Sequence, residues 1–141
     1  MLANTNTLVP QHSCVLKALE QGPYEFFLTG SRYFGGYRDG SDYDFFVQES
    51  EGVESYLRAM DFVEDTDAAY EGDPTFVKVM TLATAEGVLQ VQLIKSELFA
   101  RKQLVQKLLQ GRYQGRGLPG EKIHQKELWH LTNHILESLS L

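Results

Sequence analysis

Positive charge, cysteine and long apolar runs are the three things this chain has least of. Lys and Arg number 13 against 19 Asp and Glu, a formal net charge of −6. That balance argues against broad, nonspecific nucleic-acid binding, which is driven by phosphate neutralisation and counterion release. A local basic patch is still compatible with it. The single Cys14 cannot close an internal disulfide, so the fold must be held by an ordinary core. No apolar run approaches the roughly 20 residues that span a bilayer, and no basic stretch followed by an apolar run opens the chain. The resulting expectation is a cytoplasmic protein with no membrane partner. Repeats, low-complexity tracts and interdomain linkers are also missing. With 141 residues and 43% apolar content, residues 1–141 are expected to form one domain, with 1–7 as a flexible tail.

What the chain does have is concentrated between Tyr24 and Val47, YEFFLTGSRYFGGYRDGSDYDFFV. Tyr24 to Thr29 reads as a buried strand that ends at Gly30-Ser31, where the backbone is free to turn tightly. A second strand follows and carries Asp42 and Asp44. Because strand side chains alternate, both acids project from one face, and Tyr43, Phe45 and Val47 from the other. Two carboxylates about 5 Å apart repel by roughly 3 kcal/mol at an effective dielectric near 20, so the pair calls for a cation. Magnesium suits it, since it takes one or two carboxylates and fills its shell with water and substrate phosphate oxygens. Open N–H groups and the hydroxyl at Gly30-Ser31 are suited to receive that phosphate, and Arg32 and Arg38 add positive charge.

These residues resemble the nucleotidyltransferases of the DNA polymerase beta superfamily, whose signature is a Gly-Ser turn followed by an Asp-x-Asp strand. Gly30-Ser31 and Asp42-Tyr43-Asp44 carry the likeness, and Ser31-Arg32, Gly35 and Ser41-Asp42 bring it closer to the small, minimal members. The motif spans Gly30 to Asp44, and the order of elements continues the match to Ile94. The resemblance implies an α/β fold, a small mixed sheet flanked by helices, with further helices at the C-terminal end. It implies Mg2+-dependent transfer of a nucleoside monophosphate from a nucleoside triphosphate to a hydroxyl or amine. Asp42 and Asp44 would be the catalytic, metal-holding pair, and Gly30, Ser31 and Arg32 would bind phosphate. The acceptor, whether small molecule, protein or RNA, is not readable.

One position departs from the superfamily pattern. A third carboxylate usually follows on a strand in a hydrophobic-acid-hydrophobic setting, and here the corresponding residues are Val91-Gln92-Leu93. A neutral amide cannot accept a proton from an attacking hydroxyl, and a positioned general base is worth about 10²- to 10⁴-fold in rate. Within the superfamily that these residues resemble, bacterial-type tRNA CCA-adding enzymes manage with the two aspartates of the first motif, so the enzyme reading stands. Beside it stands a catalytically silent relative, a binding or regulatory module that is antitoxin-like or serves protein interaction.

Elsewhere the patterns are local. Val15, Leu16 and Leu19 predict a helix over Leu8 to Gln21, with Pro10 in its first turn and Gly22-Pro23 as its stop. His12 reads as solvated or as a neighbour of the helix cap and receives no role. Val53, Tyr56, Leu57 and Met60 predict a second helix, capped by Ser50. Asp61 to Asp73 reads as an acidic solvated loop around a short Phe62-Val63 strand. Phe76 to Leu82 and Val88 to Ile94 predict a hairpin joined by residues 83–87. Leu98, Leu104, Val105, Leu108 and Leu109 predict an inward stripe on a helix capped by Ser96 and ended by Gly111. Lys95 and Lys102 read as surface residues. Residues 111–120 form a basic, glycine-rich loop, either a connector or a lid placing Arg112, Tyr113 and Arg116 on a nucleotide. A last helix ends at Leu139 with Leu128, Leu131, Ile135 and Leu139 inward. Its His130 and His134 have metal-ligand spacing but read as polar surface.

Overall fold

The computed structural model describes residues 11–34, 42–66, 76–109 and 121–139. Within them the order is α1 (His12–Gln21), β1 (Phe27–Thr29), α2 (Ser31–Phe34), β2 (Tyr43–Gln48), α3 (Glu51–Ala59), β3 (Val63–Glu64), β4 (Phe76–Thr84), β5 (Gly87–Ile94), α4 (Phe99–Leu109) and α5 (Glu121–Ser138). A 3-10 turn over Ser96–Leu98 leads into α4. The strands form a five-stranded mixed sheet in the order β1-β2-β5-β4-β3. The chain is therefore α/β, as expected from its sequence.

Local chemistry explains most element boundaries. Ser50 Oγ accepts the Val53 N–H at 3.1 Å at the start of α3, and Glu51 and Glu54 sit in that first turn where the helix dipole favours acids. At the end of α1 the Gly22 N–H reaches the Leu19 carbonyl at 3.3 Å. The β4–β5 hairpin is tighter than the sequence suggests. Its strands run to Thr84 and Gly87, which are paired, leaving a two-residue turn that Gly87 permits with φ 146. The first strand is shorter than predicted, beginning at Phe27 rather than Tyr24.

β2 is the hinge of the topology. It pairs antiparallel with β1 and parallel with β5, so the crossover from β2 to β5 must carry α3, β3 and β4. One face of the sheet meets α1 and α3 in the main core, where Val15, Leu19, Val47, Val53, Leu57, Phe62, Met80, Leu89, Val91 and Leu93 are buried. An ion network braces that layer from outside. Glu54 accepts from Lys78 at 2.8 Å and from Arg58 at 3.0 Å, and both cations also approach Glu64.

The other face is covered by α4, and here the sequence expectation is corrected. Leu104 and Leu108 are exposed, whereas Lys102 and Gln106 are buried beside Val105 and Leu109. Lys102 is 3% exposed, with its ammonium 5.6 Å from the Phe46 ring centre and 4.9 Å from that of Phe76. The cation thus lies over aromatic faces while its aliphatic stem is packed. The last helix is turned as well. Leu131, Ile135 and Leu139 are exposed, while Asn133 and Leu136 are buried. The Leu128 side chain lies outside the described atoms. The acidic residues 67–73 and the basic loop 111–120 also lie outside the described residues. Among the described residues no helix is long and apolar enough to cross a membrane.

Candidate functional site

The glycine turn and the acidic strand converge. Thr29, the last residue of β1, pairs with Asp44 of β2, so the chain leaves the sheet at Gly30 beside that carboxylate. Gly30 takes φ 68, a left-handed conformation that glycine adopts without strain. Its carbonyl accepts the Tyr33 N–H at 3.0 Å, which starts α2. A Cβ built at Gly30 would run into the Asp44 carboxylate and lie 3.0 Å from the Asp44 Cβ. The acid is therefore packed directly against the bare Cα of the turn.

The two acids differ in setting. Asp42 is exposed and stands just ahead of β2, while Asp44 is half-buried within it. Tyr43, between them, packs against the main core on the opposite face. The cation of the motif goes with Tyr43: the Arg32 guanidinium carbon lies 4.1 Å from the Tyr43 ring centre. α2 thus sends Arg32 toward the α1 side of β2, and Asp44 faces α4. The backbone of Ser31 opens α2, but its side chain lies outside the described atoms. Gly35, Arg38 and Ser41 lie outside the described residues.

His12 also belongs to this neighbourhood: it stands next to the N-cap Gln11, and it is buried rather than solvated. It is 8% exposed, and its ring centre lies 4.0 Å from that of Tyr43. Its backbone N–H donates to the Glu86 carboxylate at 2.7 Å. Burial holds its pKa below the ordinary value; Glu86 opposes the shift and Arg32 adds to it. Both ring nitrogens are buried without a hydrogen-bond partner. The neutral imidazole is therefore a packing surface behind the acidic strand.

The parallel register between β2 and β5 brings two amides onto the acidic face. Gln90 pairs with Asp44, and Gln92 pairs with Phe46. The sequence pattern singled out Gln92, yet Gln90 is the residue directly alongside the second aspartate. Gln92 is 7% exposed, and its Oε1 is buried without a partner. Beyond it, Gln106 donates to the Leu28 carbonyl at 2.7 Å and keeps its own buried Oε1 unpaired.

Sequence reasoning missed Gln90, Lys102 and Gln106. For the helix a signal existed: Lys102, Val105, Gln106 and Leu109 stand at i, i+3, i+4 and i+7, the spacing of one helix face. Their polarity hid it. For Gln90 the missing information was the register of two strands far apart in sequence.

The donor set suits a divalent cation with a low protein-ligand count. Asp44 packs against the bare Cα of the turn, and Asp42 stands exposed two residues before it. Among the described residues no group of three or more His, Cys, Asp and Glu gathers as a metal site. No protein family, curated protein or solved structure matches the chain.

Proposed function

We propose that this protein is a nucleotidyltransferase of the cytoplasm, moving a nucleoside monophosphate from a nucleoside triphosphate to a hydroxyl or amine acceptor. The observation that carries the reading is the approach of the Asp44 carboxylate to Gly30, which unites the acidic strand with the phosphate-binding turn. Asp42 and Asp44 hold Mg2+, which supplies a Lewis-acid charge on the phosphate oxygens when bound. The backbone N–H groups beyond Gly30, with Ser31, receive the phosphates. Arg32, drawn toward Tyr43, adds positive charge at the rim of the turn rather than among the acids.

The test is thermal unfolding with Mg2+ and each nucleoside triphosphate in turn. A ligand at one hundred times its dissociation constant stabilises by about 2.7 kcal/mol. At least one triphosphate should give such a shift, and Asp44→Asn should abolish its magnesium-dependent part. A flat response across all four triphosphates would refute the proposal.

A second reading, a silent nucleotide-binding or protein-interaction module, draws on the amides at Gln90 and Gln92 of β5. If amides alone limit the chemistry, Gln90→Asp or Gln92→Asp raises turnover toward the general-base range of about 10²- to 10⁴-fold. Nucleotide binding without turnover in the parent and both variants would favour the silent module.

A further inference from the structure

The strand register lays a row of polar side chains across one face of the sheet. Thr29 of β1 pairs with Asp44 of β2, Asp44 with Gln90 of β5, and Gln90 with Thr81 of β4. Paired residues project from the same face of a sheet, so hydroxyl, carboxylate, amide and hydroxyl stand side by side. With strands about 4.8 Å apart, the row from Asp44 to Thr81 is about 10 Å long. Val63 of β3 ends it at the sheet edge. Burial falls along the row: Thr29 is 4% exposed, Asp44, Gln90 and Thr81 are half-buried, and Val63 is 60% exposed. The ring, cation and hydrogen-bond contacts of α4 fall on Phe27, Leu28, Phe46 and Phe76. Gln90 and Thr81 therefore keep part of their surface in water.

The chemistry of the row indicates what it would hold. Gln and Thr side chains each donate and accept hydrogen bonds, as a bound hydroxyl group does. β5 carries no charged residue. Lys78, the charge of β4, is bonded to Glu54 of α3 and stands beside Leu93 of the main core, on the other face. A cationic acceptor calls for further acids and an anionic one for Lys or Arg, and past Asp44 the row supplies neither. It also contains no aromatic ring on which a base would stack. A neutral molecule bearing several hydroxyls matches it, and the row is long enough for a mono- or disaccharide.

We propose that Gln90 and Thr81 form the acceptor subsite, and that the acceptor is a neutral sugar with one hydroxyl directed at Asp44. The inference rests on the nucleotidyltransferase reading above. The sugar oxygen forms a bond to the α-phosphorus, and the bond from that phosphorus to the bridging oxygen of pyrophosphate breaks. Pyrophosphate leaves, and water takes the hydroxyl proton, since the Gln90 amide cannot.

The test titrates the nitrogen-labelled full chain, with Mg2+ present, with methyl glucoside, glucosamine and glucuronate in turn. Methyl glucoside should move the Gln90 side-chain amide signal saturably, and the two charged sugars should bind no more tightly. Gln90→Leu with Thr81→Val should raise the dissociation constant of the glucoside about tenfold or more. Should that pair fail to fold, Thr81→Val alone, which keeps the side-chain shape, should raise it about threefold. An unmoved Gln90 signal would overturn the proposal, as would a glucoside bound equally by parent and variants or a charged sugar bound tenfold more tightly. Thermal unfolding with Mg2+ and the triphosphates reads the underlying reaction separately. A triphosphate shift without a glucoside response overturns the subsite and leaves the transferase reading standing. A glucoside response without any triphosphate shift keeps the sugar site and overturns its role as acceptor.

Discussion

The two faces of the sheet are built on different principles. Toward α1 and α3 the buried side chains are nearly all aliphatic or aromatic, among them Leu57, Leu89 and Met80 with no exposure at all. Toward α4 the contacts are aromatic and polar together: Phe46 against Phe27 and Phe99, Lys102 over Phe46, and the amides of Gln92 and Gln106. On the first face, burial stabilises in proportion to area and demands no partner geometry. On the second, each unpaired buried amide oxygen costs about 1–3 kcal/mol. The first face therefore holds the fold, and the second tolerates a cost beside the candidate site that only the first can offset.

That contrast can be broken or sharpened by experiment. Leu57→Ala, in the apolar layer, should destabilise by about 2–5 kcal/mol in urea unfolding; a loss below about 1 kcal/mol would erase the distinction between the faces. Gly30→Ala should cost on the order of 1–3 kcal/mol, since it places a Cβ at φ 68 against the Asp44 carboxylate. It should also weaken triphosphate binding, so a variant with parental stability and affinity would disconnect the turn from the acid. Gln92→Met, in the polar layer, should leave stability within about 1 kcal/mol of the parent or raise it, because it removes an orphaned oxygen at similar volume. A loss like that of Leu57→Ala would mean the amide is holding the layer together.

Acid should give the smallest and most gradual effect. His12 has its folded pKa lowered from 6.5, by burial first, so the unfolded chain binds its proton more readily. The stability tied to neutral His12 is present above pH 6.5 and is lost as pH falls through the folded value. Glu54 follows the same sign from 4.5, lowered first by its hydrogen bond from Lys78 and then by Arg58. Melting temperature against pH should thus decline in two stages, and His12→Gln should remove the earlier one. A single carboxylate-range decline in the parent would show that the imidazole does not report the packed layer.

What could be read from the sequence was what depends on neighbours along the chain. Ser50 announced its cap, Gly22-Pro23 its stop, and the alternation of Val88 to Ile94 its strand, because each is decided within a few residues. The facing of Asp44 against Tyr43 followed from strand alternation alone. What could not be read was decided by packing between distant segments. The stripe that the sequence of α5 suggests is Leu128, Leu131, Ile135 and Leu139, and Leu131, Ile135 and Leu139 face outward because its docking to α4 uses Leu136. Gln90 rather than Gln92 stands beside Asp44 because the offset of a parallel pair is set by the whole crossover. Lys102 lies inside because aromatic rings on β2 and β4 receive it, and a pattern based on polarity places it outside.

The parallel pairing of β2 with β5 also orders events in time. The β4–β5 hairpin, closed over two residues, can form within about 1–10 μs of becoming available, as hairpins do. β2 meets β5 across the full span from Tyr43 to Leu89, and such nonlocal pairing is entropically late. Asp42 and Asp44 leave the ribosome long before their neighbouring strand exists. During synthesis the acidic strand therefore waits for Gly87–Ile94 to emerge, and a chain truncated before β5 carries both aspartates without the parallel strand beside which they are set.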